Sequence, residues 1–119
     1  MSASDERPSW EKLKARAERV IEKTMAELPK EVLAEAQKVP VLFEPENAED
    51  PDLLGIYCEF APGEVSSANG PIVLYLDAID DYCVEEGEDF ASEVRLTYLH
   101  ELGHHLGWDE GDLEARGLG

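Results

Sequence analysis

The first third of the chain carries an amphipathic pattern. Apolar residues recur at helical spacing over residues 10–28, behind a plausible N-cap at Ser9. Pro29 stops this helix and suits the first turn of a second one over residues 29–38. Pro40 then ends the second helix and favours an extended backbone. The pattern therefore predicts two N-terminal helices.

The middle of the chain changes to the pattern of strands. Residues 41–43 predict a short strand, and residues 53–61 predict a half-buried one because apolar and polar positions alternate. The face expected to be apolar contains Leu54, Ile56, Cys58 and Phe60. Residues 62–71 read as a turn-rich loop, and residues 72–79 predict a second strand that the aspartates at 80–81 end.

The last third returns to helical spacing. Residues 90–107 predict a long helix, and residues 110–116 predict a short one. Helices, then strands, then helices is the order of an α+β protein with a small sheet. The chain contains no internal repeat and no long linker, so we expect a single domain over residues 1–119.

Composition limits the class of protein. The chain is 43% hydrophobic, which suits a globular fold, yet it contains no apolar run long enough to span a membrane. The N-terminus lacks an apolar signal core, so we expect a cytoplasmic protein without membrane association. In that compartment Cys58 and Cys83 are expected to be free thiols.

The net charge of −18 is confined to the later part of the chain. Residues 1–38 are neutral, whereas residues 39–119 contain only Arg95 and Arg116 as basic residues. This distribution argues against nucleic acid and anionic membranes as partners, because both need basic patches. The acidity would favour metal ions and basic peptides as partners. The simpler explanation is a solubility-driven or salt-adapted surface, because acidity alone is common and unspecific.

The segment HELGHHLGWDE contains all three histidines of the chain. On a helix, His100 and His104 are four residues apart and project together, so both imidazoles can bind one metal ion. Leu99, Leu102 and Leu106 fall on the opposite side, where they would pack the helix against the core. Zn²⁺ is the expected ion for this HExxH pattern. The competing interpretation is a chance HExxH on an ordinary amphipathic helix.

Glu101 falls beside the two histidines. Its carboxylate could take a proton from an attacking water and pass it to the leaving amine, which is the role of a general base. His105 is turned away from the metal, so we expect it to support the site or the fold without binding the ion. Trp108 is expected to anchor the helix end by packing.

Gly107 can adopt the left-handed conformation that turns a chain back at the end of a helix. In the longer HExxHxxGxxH pattern the last position is the third metal ligand, and here that position is Glu110. Asp109 and Asp112 remain alternatives, although either could instead cap the final helix. The residue that stabilises the oxyanion stays open. By residue type the candidates are Tyr57, Tyr75, Tyr82 and Arg95, and Arg95 falls on the leucine side of the helix.

The chain resembles the small bacterial zincin-like metallopeptidases over nearly its whole length. The segment LTYLHELGHHLGWDEGDLEARGLG (96–119) is the most specific part, and LPKEVL (28–33), LLGIY (53–57) and PIVLYLDAI (71–79) support it. The resemblance implies a compact minimal zincin-like fold. It also implies a zinc site with His100 and His104, with Glu101 as catalytic base and an acidic third ligand at Glu110.

The main functional hypothesis is a zinc-dependent peptidase acting on extended segments of a peptide or protein. The exposed edge of the predicted 71–79 strand could pair with such a segment. One alternative is a non-catalytic zinc-binding or regulatory module. Another is a zinc amidase acting on a small substrate.

Overall fold

The computed structural model describes residues 8–58, 71–108 and 110–115, except the side chains of Glu110 and Leu113. In chain order these residues form α1 Trp10–Ala26, α2 Lys30–Ala36, β1 Val41–Glu44, β2 Gly55–Tyr57, β3 Ile72–Tyr75, α3 Leu76–Glu86, α4 Phe90–Leu106 and α5 Glu110–Ala115. The predicted α+β class is confirmed, with helices at both ends of the chain and a small sheet between them.

The N-terminal helices form where the apolar spacing predicted them. Ser9 caps α1, because its hydroxyl oxygen accepts a hydrogen bond from the Lys12 backbone N–H at 3.3 Å. Leu13, Ala17 and Ile21 are buried along one side of α1. The second helix is shorter than predicted, since Pro29 takes the N-cap position of α2, which ends at Ala36.

The three strands of the described sheet lie in the order β1-β3-β2. β1 runs parallel to β3, and β2 runs antiparallel to it, with Phe43 and Gly55 both opposite Leu74. β3 is therefore hydrogen-bonded on both sides. The prediction that the 71–79 strand offers an exposed edge to a peptide is wrong, because neighbouring strands already occupy that edge.

The predicted strand over residues 72–79 is wrong in its second half. The strand stops at Tyr75, and the chain continues as α3, in which Asp80 and Asp81 are helical residues. Leu76, Ile79 and Cys83 are buried, and their spacing is that of one helix face. The alternation over residues 72–76 runs directly into this helical spacing, which concealed the boundary.

The predicted face of the strand over residues 53–61 is also wrong. Ile56, expected to be buried, is 38% exposed, whereas Gly55 is buried. Gly55 faces α4 at such short range that a Cβ atom there would lie 2.7 Å from Thr97 Cγ2. Residues 59–61 of the predicted strand and residues 62–70 of the predicted loop lie outside the described residues.

Helix α4 lies at the centre of the packing. It contacts α1, α3, α5, β2 and β3, and Val94, Leu99 and Leu102 are almost completely buried along it. Cys58 and Cys83 are free thiols, as predicted. No helix in the described part of the chain combines the length and the apolar character that crossing a membrane requires.

Because β2 and α4 are in close contact at Gly55, replacing this glycine with a larger residue should destabilise the fold. We expect Gly55→Ala to lower the free energy of unfolding by about 1–3 kcal/mol, because the new methyl group overlaps Thr97. Thr97→Ser removes the overlapped Cγ2 and should restore part of the loss in the double variant, with Thr97→Ser alone as the control. Urea denaturation measures all three. Wild-type stability in Gly55→Ala would contradict this packing.

Candidate metal centre

Helix α4 is fixed at both of its ends. At the N-terminus, Asp89 Oδ2 accepts a hydrogen bond from the Ser92 backbone N–H at 2.9 Å. At the C-terminus, Gly107 adopts the left-handed conformation with φ of 73°. The Trp108 backbone N–H then bonds the Gly103 carbonyl at 2.7 Å, which closes the last turn. The predicted turn at Gly107 is confirmed.

The leucines and the histidines of α4 lie on different sides, as the sequence predicted. Leu99 and Leu102 are 1% and 2% exposed, and Leu106 packs against the core while remaining partly accessible. His100 is half-buried, and the His104 side chain is 52% exposed. The burial of the leucines therefore directs both imidazoles away from the core.

His100, Glu101 and His104 form a compact group of metal-binding side chains. One donor atom from each lies within 4.8 Å of the others, and the two imidazole rings are 4.7 Å apart between centroids. Two zinc bonds of about 2.1 Å can span about 4 Å, so small side-chain rotations would suffice to hold one ion. Imidazole nitrogen is an ordinary zinc ligand, so His100 and His104 fit the metal, and the Glu101 carboxylate lies close enough to reach a molecule bound beside the ion.

Glu101 is 7% exposed as a residue, and its carboxyl lies against His104. Its Oε1 atom is 3.1 Å from His104 Nδ1, and the Tyr57 backbone N–H donates a hydrogen bond to the same carboxyl. Burial raises the pKa of Glu101, while both histidines and these hydrogen bonds act in the opposite direction. When Nδ1 of His104 donates to Glu101, its Nε2 lone pair is available for a metal.

The turn at Gly107 leads into α5, whose first residue is Glu110. α5 contacts α4, so the acidic segment stays near the helix that bears the histidines. The side chain of Glu110 and all of Asp109 lie outside the described residues. Asp112 is described, and it does not belong to the group formed by His100, Glu101 and His104.

His105 contacts residues from two distant parts of the chain. Its Nδ1 lies 2.9 Å from the Tyr57 hydroxyl oxygen, and its Nε2 lies 3.3 Å from Glu35 Oε1. Within the described residues His105 is not in the metal-binding group. The prediction that it faces away from the two other histidines is confirmed. Glu35 did not stand out in the sequence, because a glutamate seventy residues away gives no local signal.

The candidates for oxyanion stabilisation occupy different places. Tyr57 lines an open groove together with His104, Gly107 and Trp108, which we call the His104 groove.

The Tyr75 hydroxyl accepts a hydrogen bond from Asn47, and Tyr82 lies in a separate depression beside Asp80 and Asp81. Arg95 Nε is 3.8 Å from Oε1 of Glu27, the residue that caps the C-terminus of α1. Trp108 packs against the core, as expected, and lines the groove as well.

Comparison with known proteins agrees with this site. The sequence model of the zincin-like metallopeptidase family matches residues 21–119, which is nearly the whole chain. The chain belongs to this family of metallopeptidases. A search of curated proteins gives no match. The resemblance noted in the sequence is therefore confirmed at the level of the family.

The different orientations of adjacent histidines predict different effects on metal binding. We expect His104→Ala to weaken zinc binding at least about 100-fold, because it removes one imidazole of the donor set. His105→Phe keeps the bulk of a ring and should change the zinc dissociation constant little, because His105 lies outside that set. Competition with a chromogenic chelator measures both. Equal losses in the two variants would contradict the assignment.

Proposed function

We propose that this protein is a zinc-dependent peptidase in which His100 and His104 hold the metal and Glu101 is the general base. The observation that carries the proposal is the buried Glu101 carboxyl, which has donor atoms of two histidines within 4.8 Å and contacts His104 at the side of an open groove. A carboxyl that is shielded from bulk solvent and lies beside both imidazoles is placed to exchange a proton with a molecule bound there.

We propose Glu110 as the third protein ligand. Two observations support it: Gly107 turns the chain back toward α4, and Glu110 opens α5 immediately afterwards. Asp109 and Asp112 remain the alternative ligands. A His-His-carboxylate set is one of the ordinary catalytic zinc sites.

When bound, zinc would supply the Lewis acidity that makes a water molecule nucleophilic and polarises a peptide carbonyl. The residues of the chain would perform the proton transfers. A Glu101 carboxylate oxygen takes a proton from the attacking water and delivers it to the amine that leaves. The buried leucines and the closed turn at Gly107 hold the helix rigid while this occurs.

The substrate is proposed to be an extended segment of a peptide or protein lying along the His104 groove. The groove is open and carries a tyrosine and a tryptophan, whose rings offer apolar contact area. The acidity of residues 39–119 favours peptide segments with basic residues, because attraction between opposite charges increases the rate at which protein and peptide associate.

One contact favours a second candidate function, a non-catalytic zinc-binding module. Glu101 Oε1 lies 3.1 Å from His104 Nδ1. Carboxylates often contact a histidine in this way to orient its other ring nitrogen toward a metal. In such a module Glu101 would tune metal affinity, and the metal would mainly stabilise the fold.

Glu101→Gln separates the two functions. For a general base, we expect peptide hydrolysis to fall about 10²–10⁴-fold while the zinc dissociation constant changes little. The assay uses zinc-loaded protein with a fluorogenic peptide library, and a chelator should stop cleavage. Glu93→Gln, the same change earlier on α4, serves as the matched control and should keep wild-type activity.

Two results would count against the peptidase. Well-metallated wild-type protein that cleaves no peptide would contradict it directly. A Glu101→Gln variant that loses zinc about 10–100-fold, in a protein without hydrolytic activity, would support the module instead.

A further inference from the structure

A second depression lies between the loop formed by residues 45–54 and helix α3. We call it the Tyr82 depression, and its apolar lining consists of Pro51, Leu54, Ala78, Tyr82 and Val84. It encloses about 710 Å³, a size typical of ligand sites in proteins. In the described part of the chain it shares no lining residue with the His104 groove. The two are therefore separate places on the surface.

Hydrogen bonds join the two walls of the Tyr82 depression. The Asp77 backbone N–H donates to the Pro45 carbonyl at 3.0 Å, and the Tyr75 N–H donates to the Leu54 carbonyl at 2.9 Å. The Asn47 side-chain amide donates to the Tyr75 hydroxyl at 3.0 Å. These bonds tie the loop to the start of α3. The depression is thus formed in the free protein, and a ligand would not have to order its walls, which would otherwise weaken binding.

Two large apolar side chains of α3 face solvent in this depression. Val84 is 76% exposed and Tyr82 is 39% exposed. A β-branched residue has a low preference for helices, and Val84 gains no stability from burial to offset it. Neither side chain belongs to the hydrophobic core or packs against it. Their apolar surface is therefore accessible to another molecule.

Acidic side chains surround this apolar surface. Five lining residues carry carboxylates, and no described lining residue is basic: the five are Glu46, Asp52, Asp80, Asp81 and Glu85. The charge of Glu93, then burial, then the charges of Glu86 and Glu88 raise the pKa of Tyr82, so the negative potential extends beyond the lining. Such a potential attracts cations and repels nucleic acids and anionic lipids.

The arrangement of the carboxylates distinguishes between kinds of cation. Within the described residues, only His100, Glu101 and His104 form a group of three or more whose donor atoms lie close enough together for one metal ion. The carboxylates of the Tyr82 depression are therefore spread around it and do not converge on one point. Lysine and arginine side chains along a peptide supply positive charges that are spread in the same way, and their charges complement the carboxylates.

We propose that the Tyr82 depression is a docking site for a basic peptide segment of another protein. An apolar side chain of the segment packs on Tyr82 and Val84, and its lysines or arginines lie near the surrounding carboxylates. Docking requires neither metal nor hydrolysis, so the inference goes beyond the proposed function. For a peptidase, the site would select protein substrates by a segment other than the one that is cleaved, and this consequence alone rests on the proposed function.

The first test measures peptide binding by fluorescence anisotropy. The probe is a labelled peptide with one leucine between two pairs of lysines, titrated into zinc-loaded protein carrying Glu101→Gln, which keeps the peptide intact. We expect saturable binding with a dissociation constant below about 1 mM. Replacing the leucine with glycine should weaken binding at least about threefold, and replacing the lysines with glutamates should abolish it. Failure of the leucine peptide to bind, or equal affinity for the leucine and glycine peptides, overturns the inference.

The second test removes charge from the protein. One triple variant neutralises three exposed carboxylates of the depression: Glu46→Gln, Asp52→Asn and Glu85→Gln. We expect its dissociation constant for the leucine peptide to rise about fivefold to fiftyfold. The matched control neutralises three exposed carboxylates of α1 and α2: Glu18→Gln, Glu22→Gln and Glu31→Gln. Its affinity should change less than about twofold at about 0.15 M salt, because distant charges are screened. Equal losses would show only a general charge effect and overturn the inference.

The third test concerns the apolar contact and the place of binding. Val84→Thr keeps the shape of the side chain but makes it polar, so it should weaken binding of the leucine peptide at least about twofold and leave the glycine peptide unchanged. Leu42→Thr, at an exposed leucine of β1, is the control and should change neither. Amide NMR shifts on binding should centre on residues 78–85. Shifts confined to Tyr57, His104 and Trp108 would place the peptide in the His104 groove and overturn the inference. Wild-type protein that cleaves no peptide would remove only the proposed function.

Discussion

The burial of Leu99 and Leu102 decides which way helix α4 faces, and the candidate site depends on that orientation. Both leucines are almost inaccessible, and rotating the helix would expose them at about 1.5–3 kcal/mol each. With the leucines inside, the helical period places His100 and His104 on the accessible side. Gly107 then ends the helix in a left-handed turn, so the acidic C-terminal segment follows at once. The packing of one face of α4 therefore places the candidate metal-binding residues on the other face.

Tyr57 connects this helix to the sheet through two kinds of contact. Its backbone N–H bonds Glu101, and its hydroxyl bonds His105. The Leu54 carbonyl accepts from the Tyr75 N–H, and the Cys58 N–H donates to the Pro71 carbonyl. In an antiparallel pair the intervening residues point their backbone groups the other way, which leaves the Tyr57 N–H for Glu101. The absence of a side chain at Gly55 lets β2 approach α4 closely enough for this arrangement. Few residues thus position the carboxyl that we assign as the base.

The parts of the fold that were predicted correctly depend on interactions between residues close together in the sequence. The spacing of the leucines and histidines, the cap at Ser9 and the turn at Gly107 all involve residues within about one helical turn of each other. The prediction of a strand over residues 72–79 was wrong after Tyr75, because Leu76 continues the alternating pattern although it is the first residue of a helix. The prediction of the buried face of β2 was wrong because Gly55 packs against Thr97, which lies more than forty residues later in the chain. Glu35 could not be found from sequence, since its contact with His105 exists only in the folded chain.

The most direct test of the account is a crystal structure of the zinc-loaded protein with anomalous diffraction at the zinc edge. We expect one zinc ion bound by nitrogen atoms of His100 and His104 and by an oxygen atom of Glu110, with the Glu101 carboxylate near the ion but not bonded to it. Zinc bound by Glu101 together with the two histidines, or zinc at another place on the protein, would contradict the account.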